Sequence, residues 1–127
     1  MLDGYFAISG TRIQYLTEAA LKAGIWVQAQ IRVCDTQFIP AVVVRKGDPD
    51  AGSVFLKLNR LDKGVEVFSQ VRTANGARAW MRATGDALVE DTIADAYINK
   101  QLTFDPDIWV LEIEDPNYRY AIEGEII

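Results

Sequence analysis

Apolar side chains recur at every second position through much of residues 25–83, the spacing of strands with one covered face. Ile25, Val27, Ala29, Ile31 and Val33 fall on one side, with Trp26, Gln28, Gln30 and Arg32 on the other, which predicts a strand over 25–34. Ahead of it, Ile13, Leu16, Ala20 and Leu21 are spaced as on a helix over 13–23, with Thr11 placed to cap its start and Gly24 its end. Asp35-Thr36-Gln37 reads as a short turn into a second strand over 38–46, returning antiparallel. There, Pro40 marks a bulge or a sheet edge, and Val42-Val43-Val44 is apolar on both faces, as in a strand covered on each side. Three more strands follow, over 53–59 with Val54, Leu56 and Leu58 inward, over 65–71, and over 77–83 after the hairpin signal Asn75-Gly76. Ile93, Ala94, Tyr97, Ile98 and Leu102 then form a helical stripe over 91–102, followed by a strand over 108–114 and a short last one over 118–122. The order predicts an α+β domain: an antiparallel sheet of five to seven strands, mostly a meander, with two helices packed on one face. Residues 1–12 read as an N-terminal extension to a single domain over 13–127.

A chain of 127 residues suits one domain with its own core. The longest apolar run, Phe38 to Val44, is far too short for a bilayer span, and the N-terminus lacks the positive region of a secretory signal. The sequence contains no histidine and one cysteine, Cys34. Ser-His-Asp and Cys-His catalysis, zinc sites with histidine, and clusters held by four cysteines of one chain are therefore excluded. A lone cysteine fits a reducing compartment, so a cytoplasmic location is expected.

Charge is unevenly distributed. Residues 1–44 balance, residues 45–82 carry eight bases against four acids, and residues 83–127 carry two bases against eleven acids, which together give the net −5. Basic strands neutralised by the acidic segment across the fold account for this.

Two Asp-Pro-Asp turns stand out, Arg45-Lys46-Gly47-Asp48-Pro49-Asp50-Ala51-Gly52 and Phe104-Asp105-Pro106-Asp107. Proline presets φ for a tight turn, and the flanking aspartates accept nearby backbone N–H groups, so both corners are explained without a ligand. If the turns meet, Asp48, Asp50, Asp105 and Asp107 could instead ligate Mg²⁺ or Mn²⁺ for phosphate-ester hydrolysis. Glu112, Glu114 and Asp115 read as the acidic outer face of a strand. Arg45, Lys46, Lys57, Arg60, Arg72, Arg78 and Arg82 interleave with Phe55, Phe68 and Trp80, the pattern of a single-stranded nucleic-acid surface. A pI near 4.6 and the absence of an aromatic-glycine RNA signature oppose that reading. Trp26, Trp80 and Trp109 lie opposite the cleanest apolar stripe of their segments. They are either covered by a second layer or exposed as a contact surface for a protein partner or a second copy. Cys34 beside Asp35 is not expected to be a nucleophile, since the acid raises the thiol pKa.

Leu21-Lys22-Ala23-Gly24-Ile25-Trp26-Val27, the run from Arg45 to Lys57, and Phe104-Asp105-Pro106-Asp107-Ile108-Trp109-Val110-Leu111-Glu112-Ile113-Glu114-Asp115 resemble an uncharacterised bacterial family, domain-of-unknown-function family 1491, found mainly in alphaproteobacteria. The resemblance covers about residues 20–115 and implies a small cytoplasmic protein, with no reaction, cofactor or catalytic residue to carry over. The sequence therefore points to a non-enzymatic interaction domain with no cofactor, no metal and no membrane contact. Its candidate contacts are Trp26, Arg45, Lys46, Asp48, Asp50, Trp80, Asp105, Asp107 and Trp109.

Overall fold

The computed structural model describes residues 22–127, so the helix expected over 13–23 falls almost wholly outside the described residues. The segment read as the first strand is instead a helix, α1, Ala23–Thr36. Its buried residues are Ala23, Trp26, Val27, Gln30 and Cys34, at helical spacing, while Ile25 and Val33 of the alternating stripe face solvent. The segment carries both periodicities, and the sheet face beneath it selects the one that brings Trp26 and Val27 inward together. Gly24 opens this helix rather than ending one. Its N–H donates to Pro49 O at 3.0 Å, and a Cβ there would lie 3.4 Å from the Trp109 ring.

Strands β1 (Ala41–Arg45), β2 (Val54–Asn59), β3 (Val65–Arg72) and β4 (Arg78–Arg82) precede helix α2 (Asp91–Phe104). Strands β5 (Trp109–Glu114) and β6 (Glu125–Ile126) complete one sheet, in the order β1-β5-β2-β3-β4-β6. The meander β2-β3-β4 is antiparallel, as is β1 against β5. Two pairs run parallel: β2 with β5, which enters between β1 and β2 after the α2 crossover, and β4 with β6 at the other edge. The α+β class holds, with a mixed sheet that is mostly antiparallel. The last strand is not at 118–122 but at Glu125–Ile126. Side-chain bonds hold the intervening segment instead: Tyr120 OH donates to Gln30 Oε1 at 2.6 Å, and Trp26 Nε1 to Glu123 Oε1 at 3.2 Å.

The helices cover opposite faces, not one. Under α1 lie Val54, Leu56, Leu58, Phe68, Trp80, Trp109, Leu111 and Ile113. Under α2 lie Phe55, Val65, Val67, Val110 and, on the helix itself, Ala94 and Ile98. Neighbours such as Leu56 and Phe55, or Leu111 and Val110, point to opposite sides, so β2 and β5 are covered twice. Edge strand β1 is not: Val42 and Val44 are 57% and 56% exposed, against the expectation of a strand covered on each side. The edge position that Pro40 signalled is what the fold adopts. Among the described residues, no helix is long and apolar enough to cross a membrane.

Candidate functional site

The two Asp-Pro-Asp turns pack directly on each other. Asp48 N–H donates to Asp107 O at 3.0 Å, Trp109 Nε1 to Asp48 O at 2.7 Å, and Arg45 Nη2 to Pro106 O at 2.9 Å. Their carboxylates do not converge. Asp48 Oδ2 accepts the N–H groups of Asp50 and Ala51 at 3.2 and 2.7 Å, and Asp105 Oδ1 accepts Asp107 N–H at 3.0 Å. Asp50 turns outward to Lys22 at 3.5 Å, and Lys46 is exposed. No group of three or more metal-ligating side chains comes together among the described residues. These are corners in which the first acid of each, Asp48 and Asp105, satisfies its own backbone.

Trp26, on α1 itself, and Trp80 and Trp109 beneath it are buried in the core, with the Trp26 and Trp80 ring centroids 5.3 Å apart. Each indole N–H is bonded, to Glu123 Oε1, Glu123 O and Asp48 O respectively. A contact surface of exposed tryptophans is therefore absent: α1 and the C-terminal segment cover them. Phe55, Phe68 and Lys57 are likewise buried, so the basic and aromatic strand residues make no open stacking platform.

Two bases of the central strands, Lys57 and Arg60, are paired with acids of the 83–127 segment. Lys57 Nζ lies 2.7 Å from both Asp91 and Asp95 of α2 and 3.6 Å from Glu112. Burial alone would lower the Lys57 pKa, but the hydrogen bonds from Asp91 and Asp95 outweigh it and raise it. Arg60 is buried between Glu66 at 2.8 Å and Asp115 at 3.0 Å. The Cys34 thiol is pushed up to about 11, by burial first and by Asp115, rather than Asp35, second. It is therefore expected to resist a thiol-specific disulfide reagent at pH 8 until denaturant opens the core. Rapid labelling of native protein would contradict that placement.

The other end of the sheet is where an unexplained feature collects. Strand β1 starts there, β2 and β5 end there, and three connections meet. Arg119 Nη1 donates to Gln37 O at 2.9 Å, Lys63 Nζ to Pro116 O at 2.6 Å, and Arg60 Nη1 to Asp115 O at 2.7 Å. The Arg60 guanidinium also sits 4.0 Å over the Tyr118 ring. Each connection carries one non-glycine residue with positive φ: Phe38 at 58°, Leu61 at 58° and Tyr118 at 56°. These are the only such residues among those described, and all are large, apolar and outward, at 90%, 46% and 56% exposure. Left-handed backbone costs an L-residue about 1 kcal/mol, and asparagine or glycine usually occupies it. The sequence pattern marks none of the three as a site: it places Phe38 and Tyr118 at strand starts, and only Leu61, beside Asp62-Lys63-Gly64, stands out as an apolar residue at a turn.

What the structure defines is a small mixed-sheet α+β domain whose acidic corners bond to each other through backbone atoms and whose apolar loop ends are exposed. The chain belongs to DUF1491, a family described as a protein of unknown function, which it matches over residues 21–123. It is similar to a DUF1491 family protein from Caulobacter crescentus CB15. The crystal structure of that protein gives 35% identity and a TM-score of 0.73, over 84% of this chain and 99% of that one. Its NMR structure gives the same identity and score over 85% and 97%. A solution structure of an A. tumefaciens protein is similar at 26% identity and a TM-score of 0.65, over 75% of this chain and 86% of the other. No curated protein matches the chain.

Proposed function

We propose that this chain is a non-enzymatic interaction domain whose protein partner docks on the loop end formed by Phe38, Leu61 and Tyr118. The observation that carries the reading is the combination of strain and exposure. A residue used only to shape these turns would be asparagine or glycine, whereas a large apolar residue held outward at a cost in stability is what a contact anchor requires. The bonded indoles of Trp26, Trp80 and Trp109 and the backbone-bonded carboxylates of Asp48 and Asp105 give those residues structural work instead. A cytoplasmic setting belongs to this reading, supported by the single buried cysteine.

The test separates anchoring from folding. Phe38→Asn is expected to raise stability to chemical denaturation by roughly 0.5–1 kcal/mol, because asparagine accepts the left-handed region and a side chain 90% exposed gives up little packing. A loss of stability would show that Phe38 serves the fold and would remove the argument.

A further inference from the structure

Strand β1 ends the sheet with its outer side unpaired by any described strand. Its register breaks between Val43 and Arg45, and such a bulge disfavours regular pairing past that point. The half that remains available, Ala41 to Val43, follows shortly after Phe38. Beside it opens a cavity of about 490 Å³ whose walls include Asp35, Ile39, Val42, Glu112 and Glu114. Three carboxylates and no cation line this space. Glu112 is partly satisfied, by Asn59 Nδ2 at 3.0 Å and by Lys57 at 3.6 Å. Asp35 and Glu114 have no ion pair among the described residues.

Building on the interaction reading above, we propose that the free edge of β1 takes up an extended segment of a partner protein bearing lysine or arginine, as a seventh strand of the sheet. Strand addition supplies main-chain hydrogen bonds, and the alternating side chains supply selectivity. On the face that Val42 shares with Glu112 and Glu114, cationic side chains of the segment lay their stems over Val42 and extend their heads to the carboxylates, while its apolar residues fall on the face of Ala41 and Val43. Charge decides against the other occupants. A second copy brings the same acidic edge and a net −5, and residues 1–21 hold two acids and one base.

The experiment titrates the full chain, labelled with ¹⁵N, with two synthetic octapeptides, one alternating lysine with valine and one alternating glutamate with valine. The expected result is shift changes concentrated at residues 38–45 with the lysine peptide alone, weakening as salt is raised. Asp35→Asn and Glu114→Gln should each weaken binding about two- to fivefold, as exposed charge pairs do. Val42→Lys, a charged gatekeeper on the edge, should weaken it at least about tenfold. Equal binding of both peptides, shifts centred elsewhere, or no binding overturns the proposal. So does a dimer in sedimentation that Val42→Lys dissolves, which would make the occupant a second copy. Failure with the peptide alongside a stability gain in Phe38→Asn rejects the basic segment and leaves the loop-end reading standing, whereas a stability loss in that variant rejects the reading itself.

Discussion

Gly47→Ala is expected to destabilise the fold by roughly 3 kcal/mol or more, near the top of what overpacking costs. An added Cβ at Gly47 would lie 2.1 Å from Asp107 O and 2.7 Å from Ile108 C, both backbone atoms that cannot swing aside. Gly52→Ala meets the same carbonyl at 2.3 Å and should cost a similar amount. Because both press on one oxygen, the double variant should fall short of the sum. Gly76→Ala is the control: its φ of +84° strains any side chain, yet nothing lies within 4 Å. It should lose only about 1 kcal/mol. Denaturant midpoints of the four variants measure the ranking. If Gly47→Ala matches Gly76→Ala, the two corners do not interlock as described.

Asp115→Ala is expected to cost about 3–5 kcal/mol, the range for removing one partner of a buried ion pair. The carboxylate accepts Arg119 N–H at 3.0 Å, Tyr120 N–H at 2.8 Å and Arg60 at 3.0 Å, so its loss frees the C-terminal segment and strips one partner from a buried guanidinium. Burial pushes the Asp115 pKa up, but the N–H groups of Tyr120 and Arg119 and the Arg60 charge hold it below the ordinary carboxylate value. A lowered native pKa means that ionised Asp115 favours the folded state. That contribution is full above the unfolded value, about 3.9, and disappears as pH falls through the lower native one. Unfolding free energies between pH 7 and pH 2.5 should therefore fall less steeply at the acid end in Asp115→Asn than in the parent chain. An identical acid limb in both would place the acid sensitivity on other groups.

Much of the architecture was legible in the sequence because its signals were local. The Asn75-Gly76 hairpin, the alternation of Val65, Val67 and Ser69, and the stripe from Ile93 to Leu102 each named its element. Residues 25–34 were not, because Ile25, Val27, Ile31 and Val33 alternate while Trp26, Val27, Gln30 and Cys34 make a helical face. Only the sheet surface waiting to be covered decides between them. Lys57 concealed a second layer: read as one member of a wet basic face, it is buried beneath α2 because Asp91 and Asp95 reach it. The meeting of the two Asp-Pro-Asp turns depends on β5 entering beside β2, a parallel pairing that no run of residues announces. The sequence pattern places Phe38 at the start of a strand. Its outward, left-handed placement arises from the way α1 ends, with Phe38 N–H on Asp35 O at 3.2 Å and Ile39 N–H on Cys34 O at 2.9 Å.

The most direct test of the account is site-specific photo-crosslinking in the native host, with the reactive side chain placed at position 38 in one strain and at position 107 in another. The account predicts a discrete heteromeric adduct from position 38 and none from position 107, which lies in the interlocked corners at the far end of the sheet. An adduct from position 107 alone, equal adducts from both, or none from either would contradict it.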